Sequence, residues 1–254
     1  MILSFSVIKL ISMISIFPIM GPAPTDINGQ GSISGNQEQT GKSLSYTLPQ
    51  PDTKGTMSVE ETMAARRSQR NFSRDGISLK NASQLLWAAY GITKSSDHPT
   101  LGGGLKTAPS AGATYPLQVY LLVRDVEGVE PGVYRYIPKD HSIVRVIDRD
   151  VKKELSAASY NQKMIEQAPA CIFYSAIYSK TTGKYKERGR ERYVCMDLGH
   201  SAENVFLQAV ALGLGTCPVG AFNDDEVRKV MQLPVEEEPL YMMPIGIPVN
   251  KRQN

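Results

Sequence analysis

Apolar residues recur every three to four positions along residues 190–212, where Val194, Leu198, Ala202, Val205, Phe206 and Ala209 form one stripe. That is the period of an amphipathic helix. At about 1.5 Å per residue it would run roughly 35 Å, long enough to cross a domain or a dimer interface. The same period puts Leu79, Ala82, Leu85, Leu86 and Ala89 on one face of a helix over 79–90, with Gly91 as its stop. Ser58-Val59-Glu60-Glu61 has the form of a capping box and predicts a helix through Met63 and Ala64 to about Gln69. Shorter helices are expected from a cap at Asp148 or Asp150 to about 158, and from Asn223 to about Met231. The continuous apolar runs at 117–124 and 170–177 read as buried strands, and 239–247 as a last strand. Residues 133–137 and 142–147 alternate and flank Pro138-Lys139-Asp140-His141, a hairpin. The mix is α+β, with strands too scattered for a regular βαβ repeat.

The first part of the chain follows neither period. Residues 2–20 are apolar apart from serines and Lys9, and the stretch after Lys9 is 11 residues. That is short for a membrane span of about 20 residues and suits a signal-peptide core. Gly21-Pro22-Ala23 resembles a small-residue cleavage site, although Pro24 would hinder cutting there; Met20 and Met57 are alternative starts. Residues 21–56 are rich in Gly, Ser, Thr, Gln and Pro and read as a disordered linker, because so few apolar residues cannot offset the entropy of ordering. Leu44 to Leu48 are the part able to dock on the core. The folded domain is expected over 57–254.

Composition narrows the chemistry. Across 254 residues, 28 basic against 25 acidic residues leave a net charge of +3, which excludes a strongly basic nucleic-acid binder. Cys171, Cys195 and Cys217 are too few for a disulfide scaffold and lack C-x-x-C spacing. His98, His141 and His200 lie far apart, so no metal site is expected and each reads as a surface or structural residue. Pro218 breaks any G-x-G-x-x-G pattern among Gly213, Gly215 and Gly220; P-loop and G-x-S-x-G motifs are absent.

Four segments carry candidate chemistry. Arg66-Arg67-Ser68-Gln69-Arg70 offers three guanidiniums and a hydroxyl to a phosphate, or is a solvated basic helix end that suits the macrodipole. Pro109-Ser110-Ala111-Gly112-Ala113-Thr114-Tyr115-Pro116 has side chains small enough to let the backbone approach a flat ligand, or is a plain turn entering a strand. Gly213 to Phe222 (GLGTCPVGAF) offers preorganised backbone donors, or is a helix C-cap and turn. Lys251-Arg252 is a phosphate partner or a charged tail.

Together and in this order, across about 60–250, these segments resemble the nitroreductase-like flavoenzyme family. Within it they are similar to the SagB/thiazole-oxidase type, with its PSAG-x-x-YP and GLGT-x-P-[IV]-GAF patterns. The resemblance implies a nitroreductase-like fold: a central, mostly antiparallel sheet flanked by helices in an intertwined homodimer, with FMN bound non-covalently between the subunits. By position, Arg66, Arg67, Ser68 and Arg70 would hold the phosphate and ribityl chain, with Lys251 or Arg252 closing the site. Pro109, Ser110, Ala111 and Gly112 would lie along the isoalloxazine ring from the partner subunit. Gln162 or Asn161 would meet its pyrimidine edge. Pro218, Val219 and Gly220 would pass beside the ring with amides near N5 and O4. The resemblance also implies a proton-removing role for Lys184-Tyr185 in azoline-to-azole oxidation; otherwise residues 180–192 are a mobile charged loop.

The activity implied is hydride transfer through flavin N5, with NAD(P)H as reductant and a nitroaromatic or quinone as acceptor. The alternatives are an azoline-type dehydrogenase or oxidase acting on a modified peptide, or a non-catalytic flavin-binding module. In this chemistry the cofactor performs the redox step and the protein supplies geometry, so no nucleophile is required. No peptide-binding or cyclodehydratase segment is visible, so such a partner would be a separate protein. Membrane contact is expected only through residues 2–20. The cytoplasm is the expected compartment, because FMN is loaded during folding there and no twin-Arg signal precedes residue 20; export or tethering through residues 1–20 is the alternative.

Overall fold

The computed structural model describes residues 44–249, so the 1–20 segment, most of the expected linker, Lys251 and Arg252 lie outside the described residues. The strands are β1 (Ser45–Thr47), β2 (Ile92–Ser95), β3 (Gly104–Lys106), β4 (Leu117–Val123), β5 (Gly132–Ile137), β6 (Ser142–Ile147), β7 (Ala170–Ala176), β8 (Gly215–Thr216) and β9 (Glu238–Gly246). The helices are α1 (Val59–Ala65), α2 (Leu79–Tyr90), α3 (Lys152–Ala158), α4 (Lys163–Gln167), α5 (Ser179–Arg188), α6 (Val194–Ala211) and α7 (Asp224–Val230).

Seven strands form one sheet in the order β1-β6-β5-β4-β7-β9-β8, with every neighbouring pair antiparallel. β2 and β3 make a separate two-stranded ribbon. β4 lies between β5 and β7, in register from Leu117↔Ala176 to Val123↔Ala170. Alternate residues of the central strands serve two cores. Leu121, Tyr134 and Ile172 pack with Leu85 and Leu86 of α2 and Val205 of α6. Leu122 and Phe173 pack on the opposite face with Leu155 of α3, Ile165 of α4 and Val227 of α7. A strand covered on both faces needs apolar residues at both phases, which is why 117–123 and 170–176 read as unbroken runs. Each fully buried Leu, Val or Phe contributes about 1.5–3 kcal/mol.

The two long helices are locked to the sheet by a buried hydroxyl. Ser201 Oγ of α6 donates to the Ala89 carbonyl of α2 at 2.6 Å and lies 2.9 Å from Tyr174 Oη of β7. His141, at the β5–β6 turn, is a structural residue: its ring bonds Tyr136 Oη, Ser83 Oγ and the Pro49 carbonyl, each at 2.9 Å. Among the described residues no helix is long and apolar enough to cross a membrane.

Several elements depart from the sequence expectation. Chain ahead of the expected boundary at 57 joins the sheet: β1 pairs with β6 from Ser45↔Val144 to Thr47↔Ser142, and Leu48 is only 2% exposed. The Asp52 amide also donates to Gln84 Oε1 at 2.8 Å. Three residues are too few to display a strand period. α1 does start with the full capping box at Ser58 and Glu61 but stops at Ala65, short of Gln69. Beyond it the Gln69 amide donates to the Thr216 carbonyl at 2.9 Å, drawing the chain out of the helix and against β8. The charged run at 180–192 is helical: α5 meets α6 through a π turn at Gly189–Tyr193, with Lys186 breaking the helical geometry at φ 55°. Thr181 anchors α5, its hydroxyl buried 2.8 Å from Thr114 Oγ1.

The edge strand sets the first prediction. Leu48→Ala should destabilise the protein by about 2–4 kcal/mol, the usual cost of truncating a buried Leu, as read by urea denaturation. A chain beginning at residue 57 should melt below one beginning at 44; equal melting temperatures would show that β1 adds nothing to the sheet.

Candidate active site

The Pro109–Pro116 segment leaves the ribbon and enters β4 through a turn held by one carboxylate. Asp197, in the first turn of α6, accepts from Ser110 Oγ at 2.6 Å and from the Ala111 amide at 3.1 Å. Ser110 Oγ in turn accepts from the Tyr115 amide at 2.9 Å. Asp197 is 2% exposed. Burial pushes its carboxyl above the ordinary range, and the Ser110 and Ala111 donors oppose that shift. The turn is strained: Ala113 and Tyr115, both with a Cβ, sit at φ 55° and 45°. Such conformations persist only where the surroundings over-determine them.

Gly112, at φ 59°, is the point of closest approach. A Cβ there would lie 2.4 Å from Tyr185 Oη and 2.7 Å from Lys184 Nζ. The structure thus brings the Lys184-Tyr185 pair on α5 onto the backbone of the Pro109–Gly112 turn. The Tyr185 ring meets Tyr193 edge-on with centroids 4.9 Å apart, and Lys184 Nζ lies 5.3 Å from the Tyr185 centroid. Beside them opens a cavity of about 660 Å³ whose wall includes Tyr90, Lys106, Thr114, Tyr115, Lys180 and Lys184. Lys106 Nζ lies 4.1 Å from the Tyr115 ring centroid. Burial, aided by the charge of Lys180, brings its ammonium down to about 8.

A second group forms further along α6. The Arg66 guanidinium lies over the Phe206 ring, 5.1 Å from its centroid. Arg67 turns back, Nη1 donating to the Ala64 and Arg66 carbonyls at 3.0 and 2.7 Å, so part of this run does serve as a helix end. Ser68 forms a parallel bridge with Thr216, which seats the arginine run against the loop after β8. Space is tight there, since a Cβ on Gly215 would fall 2.7 Å from the Gln69 side chain. In that loop Val219 exchanges both backbone bonds with Met242 of β9, at 2.7 and 2.9 Å. The Val219 amide is therefore already used. Gln162, capping α4, donates from Nε2 to the Ala221 carbonyl at 2.9 Å.

The sequence-derived candidates fall into two groups. The Arg66–Phe206 contact and the Ser68–Thr216 bridge set the arginine run beside the second half of α6 and the start of the 216–222 loop, with Gln162 bonded further along that loop at Ala221, while Pro109 to Gly112 with Lys184 and Tyr185 lie toward the Asp197 end. Asp197 and Phe206 mark the two groups, nine residues apart on α6, or roughly 13 Å along the axis. Sequence reading missed Asp197, although a lone carboxylate three residues after Val194 in an apolar stripe is the signal of a demanded partner. It also missed Lys106 and Lys180, which carry no motif.

Comparison with known proteins agrees with this geometry. The Nitroreductase family model matches residues 63–247. A protein of Methanocaldococcus jannaschii named "putative nitroreductase" is 47% identical over 188 residues, 74% of this chain and 90% of its own. The microcin B17-processing protein McbC of Escherichia coli is 27% identical over 177 residues, 65% of each chain. The crystal structure of a "putative nitroreductase" from Ralstonia eutropha superposes with a TM-score of 0.69 at 30% identity, covering 81% of this chain and 90% of that one. The family match and the shared fold mark the chain as an oxidoreductase. The chain belongs to the nitroreductase family.

Two measurements test this geometry. Gly112→Ala should lower the melting temperature and change the near-ultraviolet circular dichroism of the Tyr185–Tyr193 pair, because a left-handed Ala costs about 1 kcal/mol before any clash. An unchanged spectrum and melting point would refute the contact. After reductive ¹³C-methylation, one lysine resonance, lost in Lys106→Arg, should titrate near 8; its titration with the surface lysines would place Lys106 in water.

Proposed function

We propose that the protein is an FMN-dependent oxidoreductase that passes a hydride between two substrates through flavin N5. The observation that carries this reading is the Ser68–Thr216 bridge, which joins the arginine run to the glycine-rich loop in one surface. The residues fit the group. Among the described residues none of Arg66, Arg67 and Arg70 pairs with a carboxylate, and a phosphate carrying nearly two negative charges needs such a cluster. The small side chains of Ser110 and Ala111 suit the close approach of a flat ring, beside the Gly112 Cα that Tyr185 and Lys184 already cover.

When bound, FMN supplies the redox step, accepting a hydride at N5 from one substrate and releasing it to the next. The chain binds and orients. Arg66, Arg70 and Ser68 would hold the phosphate. Arg67, committed to the end of α1, contributes charge more than contact. With the Val219 amide used by Met242, the Gly220 amide would be the one free to donate to the bound ring. Gln162 has its NH₂ on Ala221 and keeps its carbonyl oxygen for the N–H of the pyrimidine edge. Arg66 meets α6 at Phe206, well along the helix from the turn held by Asp197, which supports a homodimer in which one subunit offers the phosphate group and its partner the Pro109–Gly112 turn. NAD(P)H is the proposed hydride donor and a nitroaromatic or quinone the acceptor.

A second reading is favoured by one contact. Lys184 and Tyr185 sit on Gly112, beside the turn along which the ring would lie, and McbC is named a microcin B17-processing protein. For oxidation of an azoline in a modified peptide, Lys184 Nζ is placed to take the proton and Tyr185 Oη to relay it.

Arg66→Ala and Arg70→Ala should each weaken FMN by about 2–3 kcal/mol, the range for losing a charge-assisted bond, or roughly 30-fold to 150-fold. Flavin fluorescence titration checks this, and wild-type affinity in both variants would overturn the phosphate assignment. In Lys184→Ala and Tyr185→Phe, the ratio of thiazoline oxidation to NAD(P)H-driven reduction separates the readings. A fall of tenfold or more assigns the pair to azoline chemistry; an unchanged ratio removes that role.

A further inference from the structure

The cavity beside Lys184 holds more positive charge than its walls neutralise. Lys106, Lys180 and Lys184 line it, and no Asp or Glu does. Among the described residues none of the three ammoniums lies within ion-pair distance of a carboxylate. Lys180 and Lys184 stand four residues apart on α5, a spacing at which like charges repel and destabilise a helix. Lys106 is drawn in from the far wall, its Nζ donating to the Leu101 carbonyl at 3.0 Å and lying over both Tyr115 and Tyr90. Two acids lie behind this wall, Asp197, which is bonded to Ser110 and Ala111, and Glu237, whose charge is used inside the core. It bonds Tyr120 Oη and Ser175 Oγ and lies 3.4 Å from Arg135 Nη2.

A second, independent feature points to a ligand. Tyr90, 4% exposed, lines the same cavity, and its buried hydroxyl faces the Leu117 backbone and meets no acceptor among the described residues. A buried donor left unpaired costs about 1–3 kcal/mol. The rest of the wall sets apolar and aromatic side chains, including Leu101, Leu117 and Tyr136, beside the polar ones of Thr100, Thr114 and Gln118. A cavity with aromatic and aliphatic side chains in its wall and three cations that no carboxylate pairs complements a flat ring bearing an anionic group.

We propose that this cavity binds the anionic, ring-bearing part of the substrate that exchanges electrons at the site: an aromatic or heteroaromatic acid whose carboxylate or phosphate is held by Lys106 and Lys180, with its ring toward Lys184 and Gly112. The word substrate rests on the oxidoreductase reading; the binding does not.

Isothermal titration calorimetry of the full chain with 4-nitrobenzoate, 4-nitrophenyl phosphate and neutral 4-nitrobenzamide tests it. At least one acid should bind about tenfold or more tighter than the amide. In Lys106→Gln and Lys180→Gln that acid-to-amide ratio should fall severalfold, and Lys106→Arg and Lys180→Arg, which keep the charge, should restore it. Tighter binding of the phosphate ester would identify a phosphorylated ligand, and tighter binding of the benzoate a carboxylic acid. Equal affinity for acids and amide, or a ratio unchanged in both glutamine variants, would overturn the proposal. Calorimetry reads binding whether or not flavin is present. A protein that binds the acids yet takes up no FMN would therefore count against the flavin reading alone.

Discussion

One buried carboxylate positions the candidate site. Asp197 enters the protein on the first turn of α6 and receives the Ser110 hydroxyl and the Ala111 amide. Without it, a turn with three consecutive small residues would have little to hold it, since Ser110, Ala111 and Gly112 bring almost no apolar surface. The carboxylate substitutes for that missing packing. It fixes the backbone from which Gly112 faces Lys184 and Tyr185, and through Ser110 it also orders the Tyr115 amide where β4 begins. Charge-assisted hydrogen bonds are worth more than neutral ones, and in a buried setting they are directional as well. The turn can therefore be small, strained and stationary together.

α6 carries that constraint across the molecule. Its Ser201 is bonded to α2 and lies against Tyr174 of the central sheet, and Phe206 meets the Arg66 guanidinium. The helix thus spaces one group of candidate residues from the other by a rigid rod and not by loops. Elements that place a redox site gain from such stiffness, because reacting groups displaced by an ångström lose much of their advantage. The sheet supplies the second fixed reference, with β9 binding Val219 and β8 receiving Gln69.

The fold was largely legible because its main elements are long and doubly covered. The apolar runs of β4 and β7 and the stripe of α6 each show many repeats of one period, and the capping box at Ser58 marks a helix start by local chemistry alone. β1, β8 and the β2–β3 ribbon have two to four residues each and owe their form to the neighbour they pair with. Nothing within such segments announces a strand. The 180–192 run misled for another reason: its charge suggested solvent, yet α5 buries Thr181 against Thr114, a contact made by one residue. Among the candidate site residues, Arg66 to Arg70, the Pro109–Gly112 turn and the loop at 218–220 were singled out through their combined order. Lys106 and Lys180 were not, because their meaning comes from facing one cavity from separate elements.

The two ends of the seven-stranded sheet also bear on how the protein behaves among its own copies. β1 has three residues and β8 two, so neither edge presents a long row of amides and carbonyls to a strand of another molecule. At the β8 edge, Ser68 and Gln69 take up the backbone of Thr216. The segment that carries the arginines is thus also a cap on the sheet, and charged side chains on such a cap discourage stacking. Any change that peels residues 66–70 away would expose a template for edge-to-edge aggregation, coupling the integrity of the candidate cofactor site to the solubility of the chain.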